Sequence, residues 1–380
     1  MKIVIAPDSF KGSLSALEAA KAIKKGLLRV WPEAAYVLFP IADGGEGTVE
    51  TLVDLTDGKI ITGPAKDPLG REVTASYGFL SDGTTAVLEM ASACGLTRLK
   101  KEELNPAVTS TRGLGEQLRE ALARGAKKLI VGLGGSATND GGSGMLAALG
   151  VKFLDKNGGL LPPGGLALAD LDKIETSPEA EKLSKIPIVI ASDVQNPLLG
   201  PDGASAVFGP QKGADPDLVE KLDLALSRYA QVAKKLTGRE VAQTPGAGAA
   251  GGLGAAFLLF TEAKFCPGVE VVLNEGSFDQ KAADASLIVT GEGRSDGQTV
   301  WGKAPVGVAE RGQKLGVPTV CLSASLGQGY QKMYEKNISA IMAMTPGPLS
   351  LEEAMANAAP LLEDAAERLA RLLATKPLGR

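Results

Sequence analysis

The amino-acid sequence predicts an α/β protein with two domains: a parallel-sheet domain formed by both chain ends and a mixed α/β domain inserted into it. Short β-branched runs are repeatedly followed by a loop rich in Gly, Asp and Ser and then by an Ala- and Leu-rich helical segment. In the middle of the chain, short strand-like runs separated by turn signals replace this strand–loop–helix pattern, and the pattern resumes near residue 280. A chain of 380 residues is longer than a domain with a single hydrophobic core usually is, which favours two domains.

Two strand–loop–helix units are predicted at the N-terminus. A helix start is indicated by Ser13 or Ser15, since serine caps free backbone N–H groups. The predicted elements are a strand at 2–6, a helix at 15–30, a strand at 35–41 and a helix that ends near Leu55.

The middle of the chain reads as mixed α/β. Asp82-Gly83 is a hairpin-turn signal. The predicted elements are strands at 59–62, 71–79 and 85–89, a helix at 114–124, strands at 128–131 and 187–191, and a Gly-rich stretch at 245–254 before a helix.

The last hundred or so residues return to the pattern of the first. Strands are predicted at 286–290, 318–322 and 340–344, each with a loop after it, and a final helix at 351–373. We therefore expect residues 1–57 and 280–380 to form a flavodoxin/Rossmann-like domain and residues 58–279 to be the inserted domain. Ligands of such sheets bind beyond the carboxyl ends of the strands, so we expect an active site in the cleft between the domains.

The composition excludes several classes of site. The chain has no histidine, which removes His-dependent zinc sites, Ser-His-Asp and Cys-His nucleophile systems and haem held by a proximal imidazole. Its net charge of −4 without blocks of like charge disfavours a nucleic-acid or membrane surface, so a small-molecule partner is expected. Three scattered cysteines, with no CxxC pair, favour a reducing, cytoplasmic location.

Two N-terminal loops carry candidate binding residues. Asp8, Ser9 and Lys11 lie between a strand end and a helix start, where Lys11 could meet a phosphate or a substrate carboxylate; the alternative is a turn with a solvated lysine. Asp43 and Glu46 stand among three glycines and could hold Mg²⁺ through oxygen; the alternative is a flexible turn with a capping acid.

The glycine-rich segment 132–144 has two interpretations. It fits GxGxxA after a predicted strand, with Asp155 downstream for a ribose, as in dinucleotide-binding proteins. So many helix-poor residues follow, however, that a long loop cradling phosphates is favoured. The residues expected to line this nest are Gly134, Gly135, Ser136, Thr138, Asn139 and Asp140.

Asp193 and Asp296 are the candidate bases. Each follows a predicted strand, and without histidine a carboxylate is the natural acceptor of a substrate proton. Arg294 could clamp a carboxylate or a phosphoryl group. Asp193 could alternatively cap a turn, and Lys212, flanked by glycines, could be only a loop charge.

Long motifs in order along nearly the whole chain resemble the bacterial glycerate kinase family of the first type. They are IAPDSFKGSLSA (5–16), ADGGEGT (42–48), GLGGSATNDGG (132–142), DVQNPLLGPDGA (193–204), FGPQKGA (208–214), PGAGAAGGLGAA (245–256), GEGRSDGQT (291–299) and GKAP (302–305).

This resemblance implies phosphorylation of D-glycerate by ATP with Mg²⁺, generally giving 2-phosphoglycerate. For this reaction we expect the ATP phosphates on the loop Gly134–Asp140 and Mg²⁺ among carboxylates. Asp193 or Asp296 is the expected base, and Lys11 and Arg294 are expected to bind the glycerate carboxylate or the transferred phosphoryl group. A nucleotide-dependent oxidoreductase using residues 132–137 and a non-catalytic organic-acid sensor are the alternatives. The sequence does not decide which hydroxyl of glycerate is phosphorylated or whether the protein is a homodimer.

Overall fold

The computed structural model describes residues 1–300 and 303–375, so that Gly302 of the GKAP motif lies outside the described residues. The chain divides into two compact units. The first combines Met1–Asp43 with the C-terminal segment from Val269, and the second is the continuous segment Gly44–Gly268.

The strands of the described residues are β1 (Lys2–Pro7), β2 (Ala35–Leu38), β3 (Lys59–Lys66), β4 (Glu72–Phe79), β5 (Thr85–Glu89), β6 (Lys128–Gly132), β7 (Lys152–Leu154), β8 (Lys173–Glu175), β9 (Ile188–Ala191), β10 (Lys264–Cys266), β11 (Leu287–Ser295), β12 (Thr319–Leu326) and β13 (Ile338–Ala343).

The helices are α1 (Ala16–Leu28), α2 (Thr48–Leu55), α3 (Met90–Cys94), α4 (Arg112–Ala123), α5 (Ser143–Ala148), α6 (Pro178–Leu183), α7 (Ala204–Phe208), α8 (Pro216–Thr237), α9 (Ala249–Phe260), α10 (Gly268–Glu275), α11 (Phe278–Ala282), α12 (Ala304–Leu315), α13 (Leu351–Ala356) and α14 (Ala358–Leu373). Short 3₁₀ turns include Pro210–Lys212. Among the described residues, no helix combines the length and apolar character needed to cross a lipid bilayer.

The first unit is built on a parallel five-stranded sheet in the order β13-β12-β11-β1-β2. Numbered within the unit, this order is 2-1-3-4-5, the flavodoxin-like arrangement. The α/β fold class predicted from the sequence is confirmed. β1 and β11 are neighbours although the whole second unit lies between them along the chain. Ile3 to Pro7 pair in register with Leu287 to Gly291.

Helices α1 and α14 cover one face of this sheet. Ser15 caps α1 in a capping box with Glu18, which decides between the two serines expected from the sequence. Ile23 and Leu27 of α1 share a buried core with Leu362 of α14. The two helices approach closely at Gly26, where a Cβ atom would lie only 2.1 Å from the Glu363 carbonyl oxygen.

The second unit has a mixed six-stranded sheet in the order β10-β9-β6-β5-β4-β3. The strands from β10 to β5 run parallel, whereas β4 and β3 are added antiparallel as hairpins. A large buried core joins this sheet to α4, α8 and α9, and a separate two-stranded ribbon is formed by β7 and β8. The hairpin signals between residues 58 and 89 therefore correspond to the antiparallel part.

The division between units differs from the expected limits at residues 57 and 280. Helix α2 belongs to the second unit, because it packs on β3, β4 and β5. Helix α10, expected in the inserted domain, lies mainly in the first unit, where Glu270 pairs with Arg311 of α12 at 2.5 Å.

Several elements differ in extent from the sequence prediction. β11 continues to Ser295 and β12 to Leu326, through residues expected to form loops. The expected final helix is broken into α13 and α14 at Asn357. The longest helix, α8, and the β7–β8 ribbon were not among the predicted elements.

Candidate functional site

In the first unit, polar residues gather at the carboxyl ends of β1 and β11. These two central strands meet where the strand order reverses, which is the position at which open α/β sheets bind ligands. Asp8, Ser9 and Lys11 follow β1, while Arg294 lies on β11 and Asp296 directly after it. The structure therefore brings the predicted substrate residues to one edge of one sheet.

Asp8 is the most perturbed carboxyl group of this edge. Its Oδ1 accepts the Ser9 backbone N–H at 2.6 Å. Burial and, to a smaller extent, the charges of Asp43 and Glu292 together raise the pKa of Asp8 to about 7, against the lowering effect of the Ser9 hydrogen bonds. Asp43 after β2 thus belongs to the same electrostatic cluster as Asp8.

Glu292 is a buried member of the cluster to which the sequence assigned no role. Its Oε1 accepts hydrogen bonds from the hydroxyls of Ser295 at 2.8 Å and Thr299 at 2.9 Å. Burial raises the pKa of Glu292 despite these donors. Ser295 in turn lies 2.5 Å from the Ser323 hydroxyl of β12. Its place in GEGRSDGQT is the available sequence signal, but the glycines of that motif predict a loop, whereas residues up to Ser295 form a strand with a buried face.

Arg294 and Asp296 form an ion pair, with Nε 3.3 Å from Oδ2. Arg294 lies in β11 and not in the loop expected from the sequence, and its side chain is 68% exposed, so it can reach a ligand. Asp296 Oδ1 also accepts the Gln298 N–H at 2.9 Å, which shapes the turn. Lys11 is exposed.

In the second unit, the glycine-rich segment is a long loop between β6 and α5. The first helix after β6 begins at Ser143, well beyond Gly134 and Gly135, so the helix that a dinucleotide fingerprint requires is missing from its expected place. Asp155 accepts the N–H groups of Asn157 and Gly159 in a turn. The prediction of a long loop is confirmed, and the oxidoreductase alternative finds no support in this geometry.

The buried Asp140 stabilises the second half of this loop through hydrogen bonds. Its carboxylate accepts hydrogen bonds from the Thr111 N–H and hydroxyl, and from the N–H groups of Gly142 and Gly144. Burial raises the pKa of Asp140, and these donors oppose the rise. The Asn139 amide donates to the Ser205 hydroxyl at 2.9 Å. Both side chains therefore support the loop, whereas Gly135 at its tip is exposed.

The Gly44–Gly47 loop packs against the same end of the second sheet. A Cβ atom at Gly44, whose φ is +89°, would lie 2.4 Å from the Ala191 carbonyl oxygen of β9. One at Gly134 would lie 2.6 Å from the Gly45 Cα atom. Glycines in both motifs are needed for this backbone contact, a reason that sequence reasoning did not find.

Glu89 holds the start of α2 beside this loop. It ends β5, is 5% exposed, and accepts the Val49 N–H at 2.6 Å. Burial, helped by the charges of Glu50 and Glu46, raises the pKa of Glu89 to about 7, although the Val49 and Gly47 N–H groups oppose the rise. Glu46, expected to hold metal, is thus an exposed neighbour of Glu89.

Asp193 lies at the carboxyl end of β9. It is exposed, while Ser192 before it is buried and donates its backbone N–H to the Cys266 carbonyl at 3.1 Å. The predicted residues are therefore divided between two edges. The first unit contains Asp8, Ser9, Lys11, Asp43, Arg294 and Asp296, and the second contains Glu46, Gly134, Gly135, Ser136, Thr138, Asn139, Asp140 and Asp193.

The carboxylates around Asp8 suit Mg²⁺ by their chemistry. Within residues 1–300 and 303–375, no three Cys, Asp or Glu side chains form a ready metal cage. Mg²⁺ does not require one, because it is usually held by one or two carboxylates together with substrate phosphates and water. The raised pKa of Asp8 beside Asp43 shows negative charge that a cation would stabilise.

Comparisons with known proteins agree along the full chain. The sequence model of the glycerate kinase family matches residues 3–374. The chain is 48% identical to a glycerate kinase of Bacillus subtilis (strain 168), over 97% of each chain, and 44% identical to a glycerate 2-kinase of Escherichia coli (strain K12), over 98% of each. It also matches a crystal structure from Salmonella typhimurium LT2, described as a candidate glycerate kinase 2, with a TM-score of 0.88 and 43% identity over 98% of both chains.

Proposed function

The chain belongs to the glycerate kinase family, and we propose that it transfers the γ-phosphoryl group of ATP to D-glycerate in the presence of Mg²⁺, with 2-phosphoglycerate as product. The E. coli relative named glycerate 2-kinase supports the choice of the 2-hydroxyl. The observation that carries the proposal for this chain is the meeting of Asp8, Lys11 and Arg294 at the reversal point of the first sheet.

We assign recognition of glycerate to this edge. The guanidinium of Arg294 and the ammonium of Lys11 are exposed cations suited to a carboxylate or a transferred phosphoryl group. The Asp8 carboxyl and the Ser9 hydroxyl are hydrogen-bonding partners for the hydroxyls of glycerate.

We assign Mg²⁺ binding to Asp43 together with Asp8. Binding of Mg²⁺ by Glu46 stays a prediction from the sequence. A bound Mg²⁺ would neutralise phosphate charge during transfer. The ATP phosphates are assigned to the loop from Gly134 to Asp140, whose exposed tip at Gly135 lets backbone N–H groups approach an anion. The expectation that the active site lies between the two domains also stays a prediction.

We assign the base to Asp193 because it is exposed at the carboxyl end of β9. The other candidate, Asp296, accepts the Gln298 N–H and pairs with Arg294, and these contacts suit a residue that orients the arginine. Asp193→Asn is expected to lower kcat by roughly 10²-fold or more with KM for glycerate nearly unchanged. Asp296→Asn is expected mainly to raise KM for glycerate, since Arg294 loses its partner.

Steady-state kinetics of the two variants separate these roles. A kcat for Asp193→Asn within a few-fold of wild type would exclude it as the base. Large kcat losses in Asp296→Asn alone would transfer the role to that residue.

The activity itself is tested by ADP release with D-glycerate, ATP and Mg²⁺, followed by NMR of the phosphorylated product. We expect ADP release that depends on glycerate and a phosphorus coupling to the C2 proton. Coupling to the C3 protons would contradict the assigned position. ADP release that is the same without glycerate would contradict the kinase proposal.

A further inference from the structure

Lys212 is a buried lysine beneath the glycine-rich loop. It ends the 3₁₀ turn Pro210–Lys212, and only 2% of the residue is exposed. The glycines on either side allow this burial. A Cβ atom at Gly213, whose φ is +97°, would lie 2.3 Å from the Leu104 carbonyl oxygen, and one at Gly209 would lie 2.3 Å from the Ser205 carbonyl oxygen. The FGPQKGA motif therefore directs its cation inward instead of into solvent.

The ammonium group contacts the first half of the loop. Its Nζ donates to the Thr138 carbonyl oxygen at 2.6 Å and lies 3.5 Å from the Ser136 hydroxyl. That hydroxyl is also 3.2 Å from the Thr138 hydroxyl and accepts the Thr138 N–H at 3.2 Å. Lys212 thus holds the segment that adjoins the exposed Gly135, while Asp140 holds the segment that follows.

A lysine in this place is costly unless its charge is used. Burial lowers the pKa of Lys212 to about 7, although the negative charge of Asp140 opposes the shift. Both hydrogen-bond acceptors of Nζ are neutral, so neither gives the compensation of an ion pair. An apolar side chain would fill the same space more cheaply, but it could not fasten Thr138 or add positive charge below the loop.

We propose that Lys212 is a positioning residue for the nucleotide: it holds Ser136–Thr138 in the conformation that accepts the ATP phosphates and places a cation beneath them. The inference rests on the proposed assignment of ATP to this loop. A polyphosphate above the loop would stabilise the ammonium form, so affinity for ATP and the buried cation support each other.

Isothermal titration of ATP into the full-length protein tests the proposal without requiring turnover. Lys212→Met retains the bulk and removes the donor and charge, and we expect it to raise the Kd of ATP by about tenfold or more. Lys212→Gln keeps an N–H donor for Thr138 without the charge, and we expect a smaller rise, about threefold. The exposed Lys221 of the same unit supplies the matched control, Lys221→Met, with a Kd within about twofold of wild type.

A specific role requires that KM for D-glycerate and the melting temperature change little in these variants. Equal loss of both affinities together with a large drop in melting temperature would show general unfolding and overturn the proposal. A wild-type Kd in Lys212→Gln would overturn it even if Lys212→Met does not fold. Normal ATP binding without glycerate-dependent ADP release would instead overturn the proposed activity and leave Lys212 testable, whereas a wild type that binds no ATP would overturn both.

Discussion

Buried titratable side chains fall into two groups: those whose charge is stabilised by hydrogen bonds within the protein, and those whose charge a bound ion or ligand would stabilise. Asp140 receives four hydrogen bonds from its own surroundings, so it fastens the loop and needs no ligand to be stable. The pKa of Asp8 is raised, and a bound cation would lower it again. The pKa of Lys212 is lowered, and a bound anion would raise it again. Residues of the second kind are the ones most expected to respond to Mg²⁺ and ATP.

Glu89 gives a pH-dependent prediction at this scale. Its pKa rises from an ordinary 4.5 to about 7 on folding, because of burial. Between these pH values the folded protein binds more protons than the unfolded chain, so the contribution of Glu89 to the unfolding free energy is full below pH 4.5 and is lost as pH rises through 7. Glu89→Gln should remove this decline, on the order of 3 kcal/mol.

Urea unfolding of wild type and Glu89→Gln across this pH range measures the difference. Glu102→Gln, at an exposed glutamate of the same unit, is the control and should keep the wild-type slope. Parallel curves for wild type and Glu89→Gln would contradict the assigned pKa.

At the scale of elements, the packing of α1 on α14 depends on one glycine. Alanine normally stabilises a helix relative to glycine, by about 1 kcal/mol. At Gly26 the added Cβ would lie 2.1 Å from the Glu363 carbonyl oxygen, so the helices must separate. We expect Gly26→Ala to destabilise the protein by about 1–3 kcal/mol, as measured by chemical denaturation.

Gly347→Ala is the matched control, since no atom beyond its two chain neighbours lies within 4 Å of its added Cβ. It should leave the unfolding midpoint nearly unchanged. A Gly26→Ala variant as stable as Gly347→Ala would show that the helix contact adapts without cost.

At the scale of the whole molecule, the two units differ in continuity. The second is one segment that contains its complete six-stranded sheet and its own core. The first needs both chain ends, because β1 pairs with β11. We therefore expect the fragment Gly44–Gly268 to fold alone, with a cooperative thermal transition and near-UV circular dichroism.

The fragment Met1–Asp43 is the contrasting case, since it holds only β1 and β2 of the five-stranded sheet, and should remain unfolded. A gradual transition without near-UV signal in Gly44–Gly268 would mean that the second unit depends on the first.

The sequence by itself determined the α/β class and the long loop after β6, predicted a domain built from both chain ends, and limited the cap of α1 to Ser13 or Ser15, because periodicity, caps and glycine clusters are local signals. It also indicated the family through motifs such as GLGGSATNDGG and GEGRSDGQT. Only the tertiary structure decided that α2 packs with the second unit, that Arg294 lies on a strand and that Glu89, Lys212 and Glu292 are buried. Burial depends on which distant segments meet, and the spacing of residues along one segment does not contain that information.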